Sequence, residues 1–158
     1  MAPPLTIKDL LSYRIHRLAN ALSRGAALRY RRGFDVSLME WRAIALLGAF
    51  APMTLRDLAR QGSLDKGMAS RVVSGLVARG LVRRDTGAAD GRERPLSLSP
   101  AGRKVFTGLM QAAGERDAAF RAVLTEAELA VLDGALAKLL RVARALAEDR
   151  VDPGEGHS

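Results

Sequence analysis

The stretch TLRDLARQGSLDKGMASRVVSGLVARGLVRR, from Thr54 to Arg84, decides the fold. Thr54 stands three residues before Asp57, so a hydroxyl and a carboxylate are placed to satisfy the free N–H groups of a helix start. That helix is predicted over 54–61 and ends at the turn Gly62-Ser63-Leu64. A second helix is predicted over 65–79, with Gly80 offering a left-handed stop. Leu81-Val82-Arg83-Arg84-Asp85 then reads as a short strand, and Thr86 to Gly91 as a loop rich in glycine and alanine. Leu96-Ser97-Leu98 alternates with period two, as a returning strand would. Helix, turn, helix and basic hairpin in that order make a winged helix-turn-helix unit. Its second helix suits the DNA major groove, and its hairpin suits the backbone or the adjacent minor groove.

Working outward, the same start signal recurs at Thr6/Asp9, Ser37/Glu40 and Thr125/Glu128, and Ser99-Pro100 is a further start with proline at the first helical position. Helices are predicted over 5–32, 37–49, 99–123 and 125–149, with glycine stops at Gly33, Gly48, Gly62 and Gly80. In the first helix Ile7, Leu10, Leu11, Ile15, Leu18 and Leu22 share one side. In the last, an apolar arc from Val131 to Leu146 covers half the circumference, more than one small neighbour needs, and implies a second chain. The fold class is therefore mainly α with a small β-hairpin wing. One domain over 1–158 holds a helical dimerisation part (5–36 and 99–149), a winged lobe (37–98) and a disordered tail (150–158).

Composition narrows the function. The chain of 158 residues carries a net charge of +8 and no cysteine. Residues 8–32 and 66–104 are each net +6, whereas residues 115–155 are net −3. Two basic blocks and an acidic end suit one face for a polyanion and another for something else. Without cysteine there is no thiolate metal site, and with only His16 and His157 there is little for a hydrolytic relay, so no enzyme, metal or cofactor is expected. No apolar run approaches a membrane span and no signal peptide is visible, which points to a soluble, cytoplasmic protein.

The second helix places Ala69, Val72, Val73, Leu76 and Val77 on one side. Gly67, Arg71, Ser74, Gly75 and Ala78 lie on the other. That small outer face permits close approach to base edges, with Arg71 able to grip guanine through two hydrogen bonds. Lys66, Met68 and Ser70 flank it near the helix start. On the hairpin, Arg92 suits a narrow minor groove, with Asp90 holding its guanidinium beforehand, while Arg83, Arg84 and Arg94 suit phosphates.

The runs Leu38-Met39-Glu40-Trp41, Leu55-Arg56-Asp57-Leu58-Ala59 and Val72 to Arg84, with Asp90, Arg92, Leu96, Leu98 and Ser99 in the wing, resemble the MarR family of bacterial transcription regulators. The resemblance covers residues 5–149. It implies a homodimer whose first, fifth and sixth helices form the dimer part, and a repressor on a pseudo-palindromic operator in double-stranded DNA. It also implies release by a small aromatic acid or phenol. By position, the family's wing arginine falls on Arg92 and a common recognition-helix arginine on Arg71. Gly67-Met68 departs from the polar or proline residues of relatives, and the absence of cysteine excludes thiol sensing. An effector pocket of the family's kind would draw on Tyr13, His16, Arg17 and Trp41, which suit an aromatic anion. The competing readings are an architectural DNA binder without effector or sequence preference, and a helical interaction protein docking through residues 126–146.

Overall fold

The computed structural model describes residues 5–85 and 94–148. The expected start signals all close. Ser37 accepts from the Glu40 N–H at 3.2 Å while the Glu40 carboxylate accepts from the Ser37 N–H at 2.8 Å. Thr54 accepts from the Asp57 N–H at 3.1 Å, and Thr125 from the Glu128 N–H at 3.3 Å. Asp65, expected inside a helix, instead caps one by accepting from the Met68 N–H at 2.8 Å. The helices are α1 (Leu11–Phe34), α2 (Leu38–Phe50), α3 (Leu55–Gly62), α4 (Lys66–Ala78), α5 (Pro100–Arg121) and α6 (Glu126–Glu148). The strands β1 (Val82–Arg84) and β2 (Leu96–Leu98) pair antiparallel, Val82 opposite Leu98 and Arg84 opposite Leu96.

Two expectations about the helices need correction. The helix expected over 5–32 is broken: the Thr6 N–H and hydroxyl both donate to the Asp9 carboxylate, closing a single 3-10 turn over Ile7–Asp9. Leu10 is then extended, at φ −66° and ψ 127°, and α1 begins at Leu11. The glycine stops also differ. Gly33 and Gly48 lie inside α1 and α2, and Gly62 is the last residue of α3. The left-handed positions belong to Asp35 (φ 51°) and Ser63 (φ 52°), whereas Gly80 (φ 68°) takes the conformation expected of it. Gly48 is there for space, because a Cβ would overlap the Phe106 ring.

The chain forms two compact units, residues 1–114 and 115–158. In the first, Ile44 and Leu47 of α2, Leu58 of α3, Val73 and Leu76 of α4 and Leu96 of β2 are almost fully buried in one core with Leu109. Each fully buried leucine or isoleucine of this size contributes about 1.5–3 kcal/mol of transfer free energy. The wing's base is tied into that core by backbone bonds between Met53 and Leu96, at 3.1 and 2.8 Å. Ser99 joins α4 to α5: its hydroxyl donates to the Gly80 carbonyl at 2.6 Å and accepts from the Gly102 N–H at 2.9 Å. In the second unit α6 leaves Val131, Leu136, Leu140 and Leu146 exposed. The first unit likewise exposes Leu5, Ile7, Leu11 and Leu18 around the start of α1.

Candidate nucleic-acid interface

Helix α4 is held from inside. Ala69, Val73 and Leu76 are buried, with Val72 and Val77 packed against the same core. This is the face the angular spacing predicts, and it leaves Gly67, Arg71, Ser74, Gly75 and Ala78 exposed on the other side. Arg71 makes no ion pair or side-chain hydrogen bond among the described residues, so its charge is free for a ligand. Lys66 opens the helix and is exposed, and Met68 and Ser70 are half-buried beside it. Lys66 and Arg56 also line a groove of about 370 Å³ with Leu55 and Ala59 of α3, which adds a second cation near the helix start. An anion there would meet the positive end of the α4 dipole, partly offset by the Asp65 cap. The spacing of basic residues did not single out Arg56, because it lies on a different helix.

The wing is divided in its chemistry. Arg83 pairs with Asp85 at 3.2 Å, and the Asp85 carboxylate also accepts from the buried Ser97 hydroxyl at 2.7 Å. Arg83 therefore braces the hairpin, while Arg84 and Arg94 are exposed without partners among the described residues. Asp90 and Arg92, expected at the tip, lie outside the described residues.

At its other end α4 is clamped by a residue that the sequence did not flag. The Arg79 guanidinium donates to the Glu40 carboxylate at 2.9 Å and to the Asp35 carbonyl at 2.9 Å. Asp35 is the left-handed residue between α1 and α2, so one side chain fixes the end of α4 to that corner. Burial pushes the Glu40 carboxyl up, but the Ser37 hydrogen bonds and the Arg79 charge outweigh it and hold the group below its ordinary range. Partners 39 and 44 residues apart carry no local signal.

The four expected effector residues are not gathered in one place within the chain. Arg17 lines a groove on α1 with Arg14, Asn20 and Arg24, about 480 Å³ in volume. His16 is exposed beside it, bonded to Asn20 at 2.8 Å, and Tyr13 is half-buried. Trp41 lies elsewhere, its ring centroid 5.0 Å from that of Tyr30. Tyr30 is thirteen residues beyond Arg17 on the same helix, a rise of about 20 Å.

Among the described residues there is no group of three or more acidic or histidine side chains placed to hold a metal. No described helix is long and apolar enough to cross a membrane.

Known proteins share this architecture. A MarR-family profile matches residues 34–93. The structure of a probable transcriptional regulator from Pseudomonas aeruginosa is 32% identical, with a TM-score of 0.69, covering 85% of this chain and 99% of that one. A MarR/EmrR family transcriptional regulator from Acinetobacter sp. ADP1 superposes with a TM-score of 0.82 at 24% identity, covering 89% of this chain and 99% of that one. The MepR–DNA complex of Staphylococcus aureus gives a TM-score of 0.78 at 20% identity, covering 85% of this chain and 98% of that one. No match was found among curated protein sequences. With the cores of the helix-turn-helix and hairpin in place, and a relative this similar along nearly its whole length, the chain belongs to the MarR family of transcription regulators.

Proposed function

We propose that this protein is a homodimeric repressor that binds a pseudo-palindromic operator and leaves it when a small aromatic acid or phenol binds. Its main support is the outer face of α4, where Arg71 stands exposed and unpaired among small residues on a helix anchored by Val73 and Leu76. Arg71 then reads base edges, with Lys66, Gly67, Met68, Ser70 and Ser74 around it, while Arg84 and Arg94 hold phosphates. Arg92, with Asp90, is assigned the minor groove. Residues 37–98 act as the winged lobe, and 5–36 with 99–149 as the dimer part. The exposed leucines of the α1 region and of α6 favour a second copy, since their cover removes apolar surface from water. MepR was crystallised on DNA, which makes DNA the partner of choice for the same fold here.

For the effector, the α1 groove offers the Arg14, Arg17 and Arg24 guanidinium groups to a carboxylate. An effector that lowers operator affinity must bind the DNA-free arrangement better than the DNA-bound one. Selection of bound fragments from genomic DNA, followed by comparison of the selected site with random duplex at fixed salt, tests the regulator. A specificity ratio of 10³ or more is the regulator's signature. Equal affinity for both duplexes would make the protein an architectural DNA binder instead. A panel of aromatic acids added to the operator complex tests release, and a panel without effect refutes it.

A further inference from the structure

Helix α4 carries Lys66 and Arg71 toward its start and its polar anchor, Arg79, at its end. The backbone at Arg79 is fixed, because the Leu81 N–H returns to the Leu76 carbonyl and the Gly80 N–H to the Val77 carbonyl, both at 2.9 Å. The corner that Arg79 grips is fixed as well. Val36 is fully buried there, its N–H donating to the Tyr30 carbonyl, and Ser37 and Glu40 close the start of α2. Among the described residues no other side chain from Lys66 to Arg79 makes an ion pair or a side-chain hydrogen bond to another element. Burial of Ala69, Val73 and Leu76 holds the helix down, but that force is non-directional. Arg79 is the polar tie that gives the packing a direction.

We propose that Arg79 is a positioning residue for DNA recognition. By locking the axis of α4 to the end of α1, it sets both base readout and the spacing of two half-sites. From Arg79 the helix runs back about 12 Å to Arg71 and about 20 Å to Lys66. A tilt of about 5° at the clamped end therefore moves Arg71 by about 1 Å and Lys66 by about 1.7 Å, beyond the window of about 0.5 Å over which hydrogen bonds stay good. Phosphate contacts through long cationic side chains tolerate that displacement, whereas a bidentate contact to a base edge does not. Spacing follows from the same lock. Asp35 caps α1, which lies in the segment proposed as dimer part, so in a homodimer each α4 is referred to the other through its own Arg79. One inserted base pair shifts a half-site by about 3.4 Å and rotates it by about 35°. A clamped pair of helices rejects that mismatch and a loosened pair accommodates it. This role rests on the proposed dimeric repressor and names a residue that makes its readout sensitive to geometry.

The test uses the full-length chain and an operator selected from genomic DNA. Binding of the parent, Arg79→Ala and Arg79→Lys is measured on the operator, on random duplex, and on operators with one base pair added or removed between half-sites. Salt is fixed, and circular dichroism confirms that each variant is folded at the working temperature. The ratio of two affinities cancels any loss of folded protein, so it separates positioning from stability. Arg79→Ala should weaken operator binding at least tenfold and leave random duplex within twofold. It should also bring the altered spacings within threefold of the operator, where the parent loses at least tenfold. Arg79→Lys, which keeps the charge but not the fork, should fall between. If Arg79→Ala does not fold, Arg79→Gln replaces it and should shift both ratios the same way. Operator and random affinities that fall by one common factor overturn the positioning role and leave Arg79 as a stabilising residue. Spacing selectivity unchanged in Arg79→Ala overturns it too. A parent that binds operator and random duplex alike refutes the repressor reading, and the positioning role with it.

Discussion

Replacing Arg79 by alanine should release the end of α4 from the corner between α1 and α2. The side chain makes two charge-assisted hydrogen bonds, to the Glu40 carboxylate and to the Asp35 carbonyl. Hydrogen bonds involving charged groups contribute about 1.5–3 kcal/mol each when buried. Here Arg79 is 35% exposed and Glu40 16%, so solvent screening reduces both. The Asp35 carboxylate, 79% exposed and 3.8 Å away, adds next to nothing. Glu40 also keeps its Ser37 N–H after the substitution, so it is not stranded. The net expectation is a loss of about 1–2 kcal/mol, near the centre of the range for single substitutions. Arg79→Lys should recover half or less, since an ammonium cannot serve two acceptors with a planar fork. Urea unfolding at one fixed protein concentration measures this, because the stability of an oligomer depends on concentration. The cycle with Glu40→Gln should show a coupling of about 1 kcal/mol, above the 0.3–0.5 kcal/mol scatter of independent sites. Coupling below that scatter, or an Arg79→Ala protein as stable as the parent, would refute the clamp.

Glu40 also fixes a pH dependence. Its folded carboxyl titrates below the ordinary glutamate value, so its contribution is fully present above about pH 4.3 and is lost as pH falls through the folded value. Parent minus Glu40→Gln stability, measured from pH 7 to pH 3, should shrink over that lower interval. A constant difference would show that the clamp does not depend on the carboxylate. On DNA, Arg71→Ala should cost about 1–3 kcal/mol and blur preference at particular base pairs, whereas Arg84→Ala should weaken all duplexes and reduce the salt slope by about one unit. Identical behaviour of the two variants on specific and random duplex would refute those roles. Gly102→Ala should destabilise the fold by about 1–3 kcal/mol because its Cβ would overlap the Leu81 carbonyl, which is backbone and cannot swing aside. Gly75→Ala, in open space on α4, should stabilise by about 0.5–1 kcal/mol, and thermal unfolding separates the two glycines.

What could be read in the sequence was local chemistry with a fixed spacing. A hydroxyl three residues before an acid announces a helix start because the bonds it makes span only three residues, and Ser37, Thr54 and Thr125 all behave so. The period of α4 likewise separates its buried Val73 and Leu76 from its exposed Arg71 without reference to any other element. Glycine misled because it has two uses that a sequence does not distinguish. Gly80 supplies a backbone conformation, but Gly48 and Gly102 supply room for Phe106 and for the Leu81 carbonyl. Those neighbours come from far along the chain. With the stops so taken, Asp35 and Ser63 hold the left-handed turns instead. Asp35 in that conformation presents its carbonyl to Arg79. The effector residues were grouped by chemical type on the two helices that the family resemblance names, and type says nothing about distance along a helix axis. Arg17 and Tyr30 share α1 yet stand about 20 Å apart, and Trp41 packs on Tyr30, so within the chain Trp41 and Arg17 do not line one groove.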